Sequence, residues 1–576
     1  MDCGSLILSE NTYDFIVEQD ETEMPLVAPI CVQPIDGQYE VWYFDKSMVP
    51  PISVNAYSYT SIPKCFYLTD STSMEVSGIT ALQNSPTLSL KGQGVFVGII
   101  DTGIDYTNKL FQNVDGTTRI FSIWDQTAMA EELNRNYENN ERDTSPFYMP
   151  PDGFLYGVEY KQERINQALA FDNPNQIVPQ NDTIGHGTYL ASLVAGNASP
   201  ENDFLGAAPE SELLIVKLKP AKQNIKDYFY ISDETPVFQE NDIMAGVRYL
   251  ESVADRENRP LVILLGLGSN HGSRSGSGPL SVCCNTVGAQ IGRTIVISAG
   301  NEADKRHHYS GKTGTLLEPV RIEVNVEEDI PGFCMELWAF APELVRVVVQ
   351  SPTGQKSEGR FPLFAETQTT RFLFENTLLN LDYRIAGRST GDVVAFFRFT
   401  NVTRGIWTLL VYPENTFSGN FHVWLPIRGQ LEPNITFIAP NPDTTITEPS
   451  AARIPITVGG YNGVTDAFYL ESGRGYDSIG MIKPDFVAPA IMVKGAGLRN
   501  NFVTSTGNSV AAAITAGACI QVLQWAIVNQ NAPNLNSVGV KNTLIRGCRR
   551  EQNRDYPNRE LGFGKLDVYQ SFENLR

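Results

Sequence analysis

Residues 94–103 read Gly-Val-Phe-Val-Gly-Ile-Ile-Asp-Thr-Gly, a continuous apolar run that ends in Asp101 and Gly103. A short run of this kind is typical of a strand that is buried on both faces of a parallel sheet, with its loop at the carboxyl end. Alternation of such strands with helical segments predicts an α/β fold, a doubly wound parallel sheet that binds ligands at the carboxyl ends of its strands. Three further apolar runs follow, at 213–218, 261–268 and 294–301.

This α/β pattern is interrupted by a stretch of different texture. Residues 318–440 contain about eight short apolar runs with turn residues between them, which predicts an all-β sandwich or jelly roll. The first 70 residues alternate apolar and polar residues in short runs and predict a small α+β unit. We therefore predict four segments along the chain: an N-terminal domain at 1–70, the first part of the α/β domain at 71–310, an inserted β domain at 311–445 and the second part of the α/β domain at 446–576.

Composition and charge exclude several classes of function. The chain has 576 residues with 44 Lys and Arg against 65 Asp and Glu, a net charge of −21, which disfavours non-specific binding of nucleic acid or anionic lipid. We find no apolar run of 18 residues or more and expect no membrane span, and the N-terminal residues lack the basic region of a signal peptide. The eight cysteines include no CxxC pair, so we predict reduced, mostly buried thiols rather than disulfides or a zinc site.

Four short motifs, each at the end of a predicted strand or the start of a predicted helix, carry the chemistry. A lone Asp or Ser at such a place is more commonly a helix cap. Taken together, the motifs supply a serine nucleophile, a histidine base, a carboxylate to orient that base and a donor for a developing oxyanion, which are the parts that acyl transfer needs. The motifs are Asp101-Thr102-Gly103-Ile104-Asp105, Gly185-His186-Gly187-Thr188, Ser298-Ala299-Gly300-Asn301 and Thr506-Gly507-Asn508-Ser509-Val510-Ala511.

With Gly206-Ala207-Ala208-Pro209 after the histidine helix, this set resembles the subtilisin-like serine proteases, peptidase family S8, over about 95–303 and 450–576. The resemblance implies that Asp101 orients the imidazole, His186 acts as general base and then acid, and Ser509 is the nucleophile. It further implies an oxyanion hole made by the Asn301 side chain and the backbone N–H of Ser509.

The same resemblance implies that the substrate is added as a β-strand. Gly268 and Gly300 would leave room for the substrate side chain that precedes the scissile bond. The family usually has Thr where this chain has Asn508, and Pro where it has Ala513. The implied substrate-binding residues are Leu265, Gly266, Leu267, Gly268, Ser298, Ala299, Gly300 and Asn508.

A β domain inserted between Asn301 and Ser509 resembles, more narrowly, the Csp germination proteases of clostridial spores. This implies that residues 1–70 are a pro-region that the enzyme cuts itself, near 57–73, and that stays in the cleft as chaperone and inhibitor. The partners implied are a protein or peptide substrate and the chain's own pro-region, with no nucleic acid. We expect a monomer in the cytoplasm or the spore.

Two other functions stay open at this point. The chain could be a catalytically silent scaffold or signalling protein of spore germination with a plugged cleft, a reading supported only by Asn508 and the charged segment 115–181. The inserted domain could bind carbohydrate instead of acting as a rigid spacer. The segment 115–181 either shapes access to the site or is a solvated face.

We expect no cofactor and no metal. Calcium is common among subtilisins, but the sequence shows no clear acidic loop for it. His307 and His308 are interpreted as part of an exposed loop, and Cys283 and Cys284 as buried thiols.

Overall fold

The structure, a computed structural model, describes residues 3–18, 27–68, 75–138, 148–315, 318–359, 367–385, 391–414, 419–431 and 435–575. The N-terminal domain carries one short helix and an antiparallel sheet of order β1-β3-β2, with a fourth strand apart from it. Its elements are α1 (Cys3–Ile7), β1 (Thr12–Glu18), β2 (Cys31–Pro34), β3 (Tyr39–Asp45) and β4 (Cys65–Leu68).

The α/β domain begins with the strand predicted from residues 94–103. The elements of its first part are α2 (Ile79–Gln83), β5 (Phe96–Asp101), β6 (Ile120–Asp125), α3 (Ala130–Glu138), β7 (Val158–Lys161), α4 (Gln162–Leu169), α5 (His186–Ala195), β8 (Glu212–Lys217), α6 (Gln223–Phe229), β9 (Phe238–Gln239), α7 (Glu240–Arg256), β10 (Leu261–Leu265), β11 (Leu267–Gly268), α8 (Pro279–Gly288) and β12 (Arg293–Ser298).

The inserted domain is a sandwich of two antiparallel sheets. Among the described residues it has ten strands, where the sequence predicted about eight: β13 (His308–Lys312), β14 (Val320–Val326), β15 (Ile330–Ala339), β16 (Val345–Gln350), β17 (Thr367–Phe372), β18 (Thr377–Ile385), β19 (Val393–Val402), β20 (Gly405–Pro413), β21 (Asn420–Trp424) and β22 (Ile435–Phe437). The sheet orders are β13-β21-β15-β19-β18-β17 and β16-β20-β14-β22.

The second part of the α/β domain returns to the central sheet. Its elements are β23 (Ile456–Tyr461), β24 (Phe486–Pro489), β25 (Val493–Ala496), β26 (Phe502–Ser505), α9 (Asn508–Leu523), a π-helical turn (Gln524–Val528), α10 (Ser537–Gly547) and α11 (Val568–Glu573).

The predicted doubly wound sheet is confirmed. The central sheet has the order β24-β23-β12-β10-β5-β8-β6-β7, and every pairing in it is parallel except that of the edge strand β7 with β6. Helices α5 and α9 pack in the apolar core on one face, and α7 and α8 pack in the core on the other. All 16 residues of α9 are buried, as expected for a helix that is apolar all round. Helix 508–528 is long and apolar enough to cross a membrane, but 89% of its most apolar window is buried inside the protein.

The three domains meet in one apolar cluster. The N-terminal domain, the α6 region of the α/β domain and the inserted domain each contribute buried aromatic side chains to it. Burial of this much aromatic surface is a major source of cohesion between domains. Its aromatic members include Phe15, Phe44, Tyr57, Tyr59, Tyr228, Phe229, Trp338, Phe396 and Trp424.

A buried cluster of four charged side chains also joins the N-terminal domain to the α/β domain. We call Asp14, Lys219, Lys222 and Asp242 the ion cluster. Asp14 lies on β1 and accepts a hydrogen bond from Lys222, and its other oxygen lies 3.9 Å from the Nζ of Lys219. Lys219 forms an ion pair of 2.8 Å with Asp242 on α7. All four side chains are at most 5% exposed, and the two positive charges balance the two negative ones.

The cysteine prediction is wrong for one pair. Cys3 and Cys31 form a disulfide with a Cα–Cα distance of 5.7 Å, because α1 packs against β2. The remaining six cysteines are free and buried, as predicted for Cys283 and Cys284. Burial raises the pKa of the Cys65 thiol to about 12, which keeps it protonated at neutral pH.

The interpretation of His307 and His308 as an exposed loop is also wrong. His307 is 7% exposed and its Nδ1 lies 2.9 Å from Glu302, while His308 is 1% exposed and its Nε2 lies 2.8 Å from Nδ1 of His422. His308 is covered by β21, the strand of the inserted domain that pairs with β13. Burial, and secondarily the charge of Arg274, lowers the pKa of His422 to about 4, so this pair is neutral at neutral pH. Within the described residues no cluster of His, Cys, Asp or Glu could hold a metal ion.

Candidate active site

His186 lies within hydrogen-bonding distance of both Asp101 and Ser509. Both carboxylate oxygens of Asp101 lie 2.9 Å from Nδ1 of His186, and Nε2 of His186 lies 3.3 Å from Oγ of Ser509. The three residues are 1%, 7% and 0% exposed. Asp101 ends β5, while His186 and Ser509 lie in the first turns of α5 and α9. A carboxylate, an imidazole and a hydroxyl in this order can activate the hydroxyl as a nucleophile.

The start of α5 is held by a carboxylate that the sequence analysis did not identify. Asp182 accepts hydrogen bonds from the backbone N–H of Gly185 at 2.7 Å and of Thr188 at 3.0 Å, and from the Thr188 hydroxyl at 2.8 Å. These bonds satisfy donors of the first turn that the helix itself leaves unpaired. The preference of Asp for positions just before a helix would have indicated this residue. We therefore regard Asp182 as a positioning residue for His186.

Close approach of β5 and α5 requires a glycine beside the histidine. A Cβ at Gly187 would lie 2.2 Å from the carbonyl oxygen of Gly103. The backbone N–H of Gly187 donates to the hydroxyl of Thr102 at 3.0 Å. The Gly-His-Gly sequence thus lets the imidazole reach the end of β5.

Asn301 faces the start of α9. Its Oδ1 accepts a hydrogen bond of 3.1 Å from the backbone N–H of Asn508, which leaves its amide hydrogens to donate elsewhere, as an oxyanion donor must. Asn508 is fully buried and donates to the carbonyl oxygen of Gly300 and, at 3.1 Å, to the hydroxyl of Ser472. The side chain of Asn508 thus contacts the loop behind the site and fixes the backbone around Gly300.

A segment of the N-terminal domain lies where the substrate strand is expected. β4 pairs antiparallel with β11, so that Tyr67 lies opposite Gly268 and Leu68 opposite Leu267. On its other side β4 pairs antiparallel with β9. The result is a three-stranded sheet of order β11-β4-β9, in which β9 supplies a second edge that was not predicted from the sequence.

The remaining predicted substrate-binding residues surround this sheet. A Cβ at Gly266 would lie 3.2 Å from Cβ of Ser509 and 3.4 Å from Cε1 of His186, so the chain passes close to both residues just before β11. Leu265 is instead a core residue of β10. The residues that end β12 are held by backbone hydrogen bonds. The N–H of Ala299 donates to β23, and the carbonyl oxygen of Ser298 accepts from the hydroxyl of Ser450.

Glu336 links the inserted domain to both of its neighbours. One oxygen accepts from the hydroxyl of Tyr59 in the N-terminal domain and from His271, each at 2.8 Å, and the other accepts from Gly272 and Trp338 at 2.9 Å. Burial by itself raises the pKa of Glu336, but the hydrogen bond and charge of His271, together with the hydrogen bonds from Gly272 and Trp338, outweigh it and lower that pKa to about 2. Glu336 is thus ionised at neutral pH and braces the loop that follows β11.

The segment 115–181 builds the edge of the central sheet. It contributes β6, β7, α3 and α4, and part of it lies outside the described residues. At its end, Gln180 donates to the carbonyl oxygen of Ile104 in the loop after β5. It therefore supports the Asp101 loop from outside.

Comparisons with known proteins agree with this arrangement. The sequence profile of the subtilase family matches residues 92–323 and 418–564, and the gap in the match falls in the inserted domain. The solved structure of the CspB protease of Clostridium perfringens is similar, with a TM-score of 0.74 and 27% identity over 87% of this chain and 96% of that one.

Among curated proteins, the PII-type proteinase of Lacticaseibacillus paracasei is 24% identical over 264 residues, which is 45% of this chain and 11% of the relative. The subtilisin-like protease SBT1.9 of Arabidopsis thaliana is 27% identical over 148 residues, 24% of this chain and 18% of the relative. The chain thus matches only a small part of these much longer or divergent proteins.

Proposed function

Because the chain belongs to the subtilase family, we propose that it is a serine endopeptidase that hydrolyses peptide bonds through an acyl-enzyme and cuts its own N-terminal region. The observation that carries the proposal is the unbroken contact from Asp101 through His186 to Ser509. Its placement beside an edge that already pairs with an extended strand supports a peptide as substrate.

The first half of the reaction forms an ester. Oγ of Ser509 attacks the scissile carbonyl carbon and its proton passes to Nε2 of His186. Asp101 accepts a hydrogen bond from Nδ1–H of His186, which fixes the tautomer and stabilises the imidazolium. The side chain of Asn301 and the backbone N–H of Ser509 donate to the oxyanion. The C–N bond then breaks as the imidazolium gives its proton to the leaving amine.

The second half repeats these roles with water. His186 takes a proton from water, and the resulting nucleophile attacks the acyl carbon. Collapse of the second oxyanion returns the proton from His186 to Oγ of Ser509. The products are a carboxylic acid and the free enzyme.

The N-terminal domain is proposed to be the first substrate. In the register of β4 with β11, the substrate residue after the one facing Leu267 comes opposite Gly266, beside the triad. In this chain the residue after Leu68 is Thr69, so we propose cleavage between Thr69 and Asp70. That bond falls within the 57–73 range expected from the sequence, and it lies outside the described residues.

Labelling of Ser509 by a fluorophosphonate tests the proposed activity. The wild type is expected to be labelled, and His186→Ala, which keeps the serine, is expected to react at least about 1,000-fold more slowly because the hydroxyl loses its base. Tryptic mass spectrometry locates the label. Equal labelling of the two proteins, or labelling of a different serine, would contradict the proposal.

Asn301→Ala is expected to lower the rate of self-cleavage by about 100- to 1,000-fold. This is the known cost of removing the side-chain oxyanion donor in subtilisin, about 3–4 kcal/mol of transition-state stabilisation. The measurement is the half-time of N-terminal processing on a denaturing gel. Asn197→Ala serves as control, since the side-chain amide of Asn197 donates to the carbonyl oxygen of Gln112, remote from the triad. A rate for Asn301→Ala within threefold of the wild type would remove Asn301 from the mechanism.

A further inference from the structure

A threonine fills the space between the two glycines expected to admit the substrate side chain. A Cβ at Gly268 would lie 2.3 Å from Oγ1 of Thr447, and a Cβ at Gly300 would lie 2.7 Å from the same atom and 2.5 Å from its Cγ2. The side chain of Thr447 therefore occupies the slot between the ends of β11 and β12. These are the elements that carry the substrate-pairing edge and Asn301.

The backbone around Thr447 is fixed on both sides of the slot. The N–H of Thr447 donates to the carbonyl oxygen of Ala299 at 3.2 Å. The next residue, Glu448, pairs with Ser269 through both of its backbone groups, at 2.9 and 3.0 Å. Thr447 can therefore leave the slot only if its backbone bonds to Ala299 and the bonds of Glu448 to Ser269 break.

The hydroxyl of Thr447 lacks a partner among the described residues. The residue is 0% exposed and its Oγ1 is buried with no hydrogen bond. A buried hydroxyl is normally paired, because leaving it unpaired costs free energy. The unpaired atom lies at the slot and so points to a ligand group with a donor or acceptor of its own.

We propose that Thr447 is a specificity-determining residue that limits the substrate residue before the scissile bond to a small side chain and favours one with a hydroxyl. The inference rests on the proposed peptidase function and specifies its substrate class. A substrate residue opposite Gly266 has its carbonyl at Ser509 and its side chain at the mouth of the slot. Thr69, the residue that follows Leu68 in the sequence and that the proposed cleavage places before the scissile bond, has a small hydroxylated side chain.

The test varies residue 69 within the whole chain and measures the rate of self-cleavage. Thr69→Ser, which keeps the hydroxyl, should be processed within about twofold of the wild type, and Thr69→Ala, which lacks it, should be about two- to tenfold slower. Thr69→Phe should be slowed at least about 100-fold because a packed slot cannot take the ring. Thr69→Val, equal in size but without the hydroxyl, should be about two- to tenfold slower than the wild type. Adding Thr447→Gly to Thr69→Phe should restore cleavage to within about tenfold of the wild type.

Thr445→Gly is the matched control for the rescue. It lies in the same loop, but its hydroxyl donates to the carbonyl oxygen of Pro442 at 2.8 Å, and the atoms nearest to a Cβ at Gly268 or Gly300 belong to Thr447 instead. It should not rescue Thr69→Phe. Wild-type cleavage after a residue larger than Thr, efficient processing of Thr69→Phe, or equal rescue by Thr445→Gly would each overturn the proposal.

A second readout separates this inference from the proposed function. In the Ser509→Ala background, where no chain is cut, Thr69→Phe should lower the melting temperature and Thr447→Gly should reverse most of that loss. If the wild type proves inactive, the proposed function fails while this coupling still tests the slot. If cleavage occurs but the effects of Thr69→Phe and Thr447→Gly on the melting temperature simply add, the two side chains do not interact. The slot assignment alone is then wrong.

Discussion

Ser509→Ala is expected to remain a single chain of 576 residues, whereas the wild type is recovered as two fragments. The hydroxyl of Ser509 is buried and lies 3.3 Å from Nε2 of His186, the base of the proposed mechanism, and the variant removes it. In subtilisin, loss of this nucleophile lowers kcat by about 10⁶-fold. A self-cleavage that takes minutes in the wild type would then take years in the variant.

Intact mass spectrometry of the two purified proteins checks this result. The smaller wild-type fragment should end at Thr69, one residue after β4. Ser505→Ala, a change of the same kind on β26, should be cut like the wild type. Fragments of the same mass in Ser509→Ala would show that another protease does the cutting and would contradict self-cleavage.

An uncut wild type would favour the scaffold hypothesis. The geometry gives that hypothesis one definite candidate, Asn508, whose amide is tied to Gly300 and Ser472. Restoring the family's usual residue with Asn508→Thr would then be the first change to make. If cleavage then recovered, the lack of activity would be due to the backbone around the oxyanion site rather than to the triad.

The central sheet and the triad positions could be predicted because their signals are local. A buried parallel strand such as β5 is a continuous apolar run, and the residues that follow it are brought to one edge by the sheet itself. The helix that carries Ser509 is equally clear, because small apolar residues fill every face of α9. The sequence therefore located Asp101, His186 and Ser509 before any tertiary contact was known.

The features that escaped prediction depend on contacts between distant segments. Cys3 and Cys31 are 28 residues apart and meet only because α1 packs on β2. Burial of His308 depends on β21, which lies 114 residues further along the chain at His422. Thr447 reaches the slot only after the chain has passed through the inserted domain. Hydrophobic periodicity and local composition report only on neighbouring residues, so they do not predict contacts between distant segments.

Asp14→Ala is expected to weaken attachment of the N-terminal domain by about 3–5 kcal/mol, or roughly two to four orders of magnitude in affinity. Asp14 is the only member of the ion cluster that belongs to this domain, and its loss leaves two buried lysines facing Asp242 alone. Burial lowers the pKa of Lys222, and the charge of Asp14 opposes that shift. Without Asp14, the buried ammonium of Lys222 would lose this stabilisation. Gel filtration of the processed protein should show the fragments together in the wild type and apart in Asp14→Ala.

Two further variants make this result specific. Asp45→Ala removes a carboxylate of the same domain that accepts hydrogen bonds from the backbone N–H and the hydroxyl of Ser47, within that domain, so its fragments should stay together. Asp14→Asn keeps the shape of the side chain and its hydrogen-bonding oxygen but not the charge, and should fall between Asp14→Ala and the wild type. In the Ser509→Ala background, the melting temperature should fall in the same order, which tests the interface even if no cleavage occurs. Equal behaviour of Asp14→Ala and Asp45→Ala would show that the aromatic cluster, and not the ion cluster, holds the N-terminal domain in place.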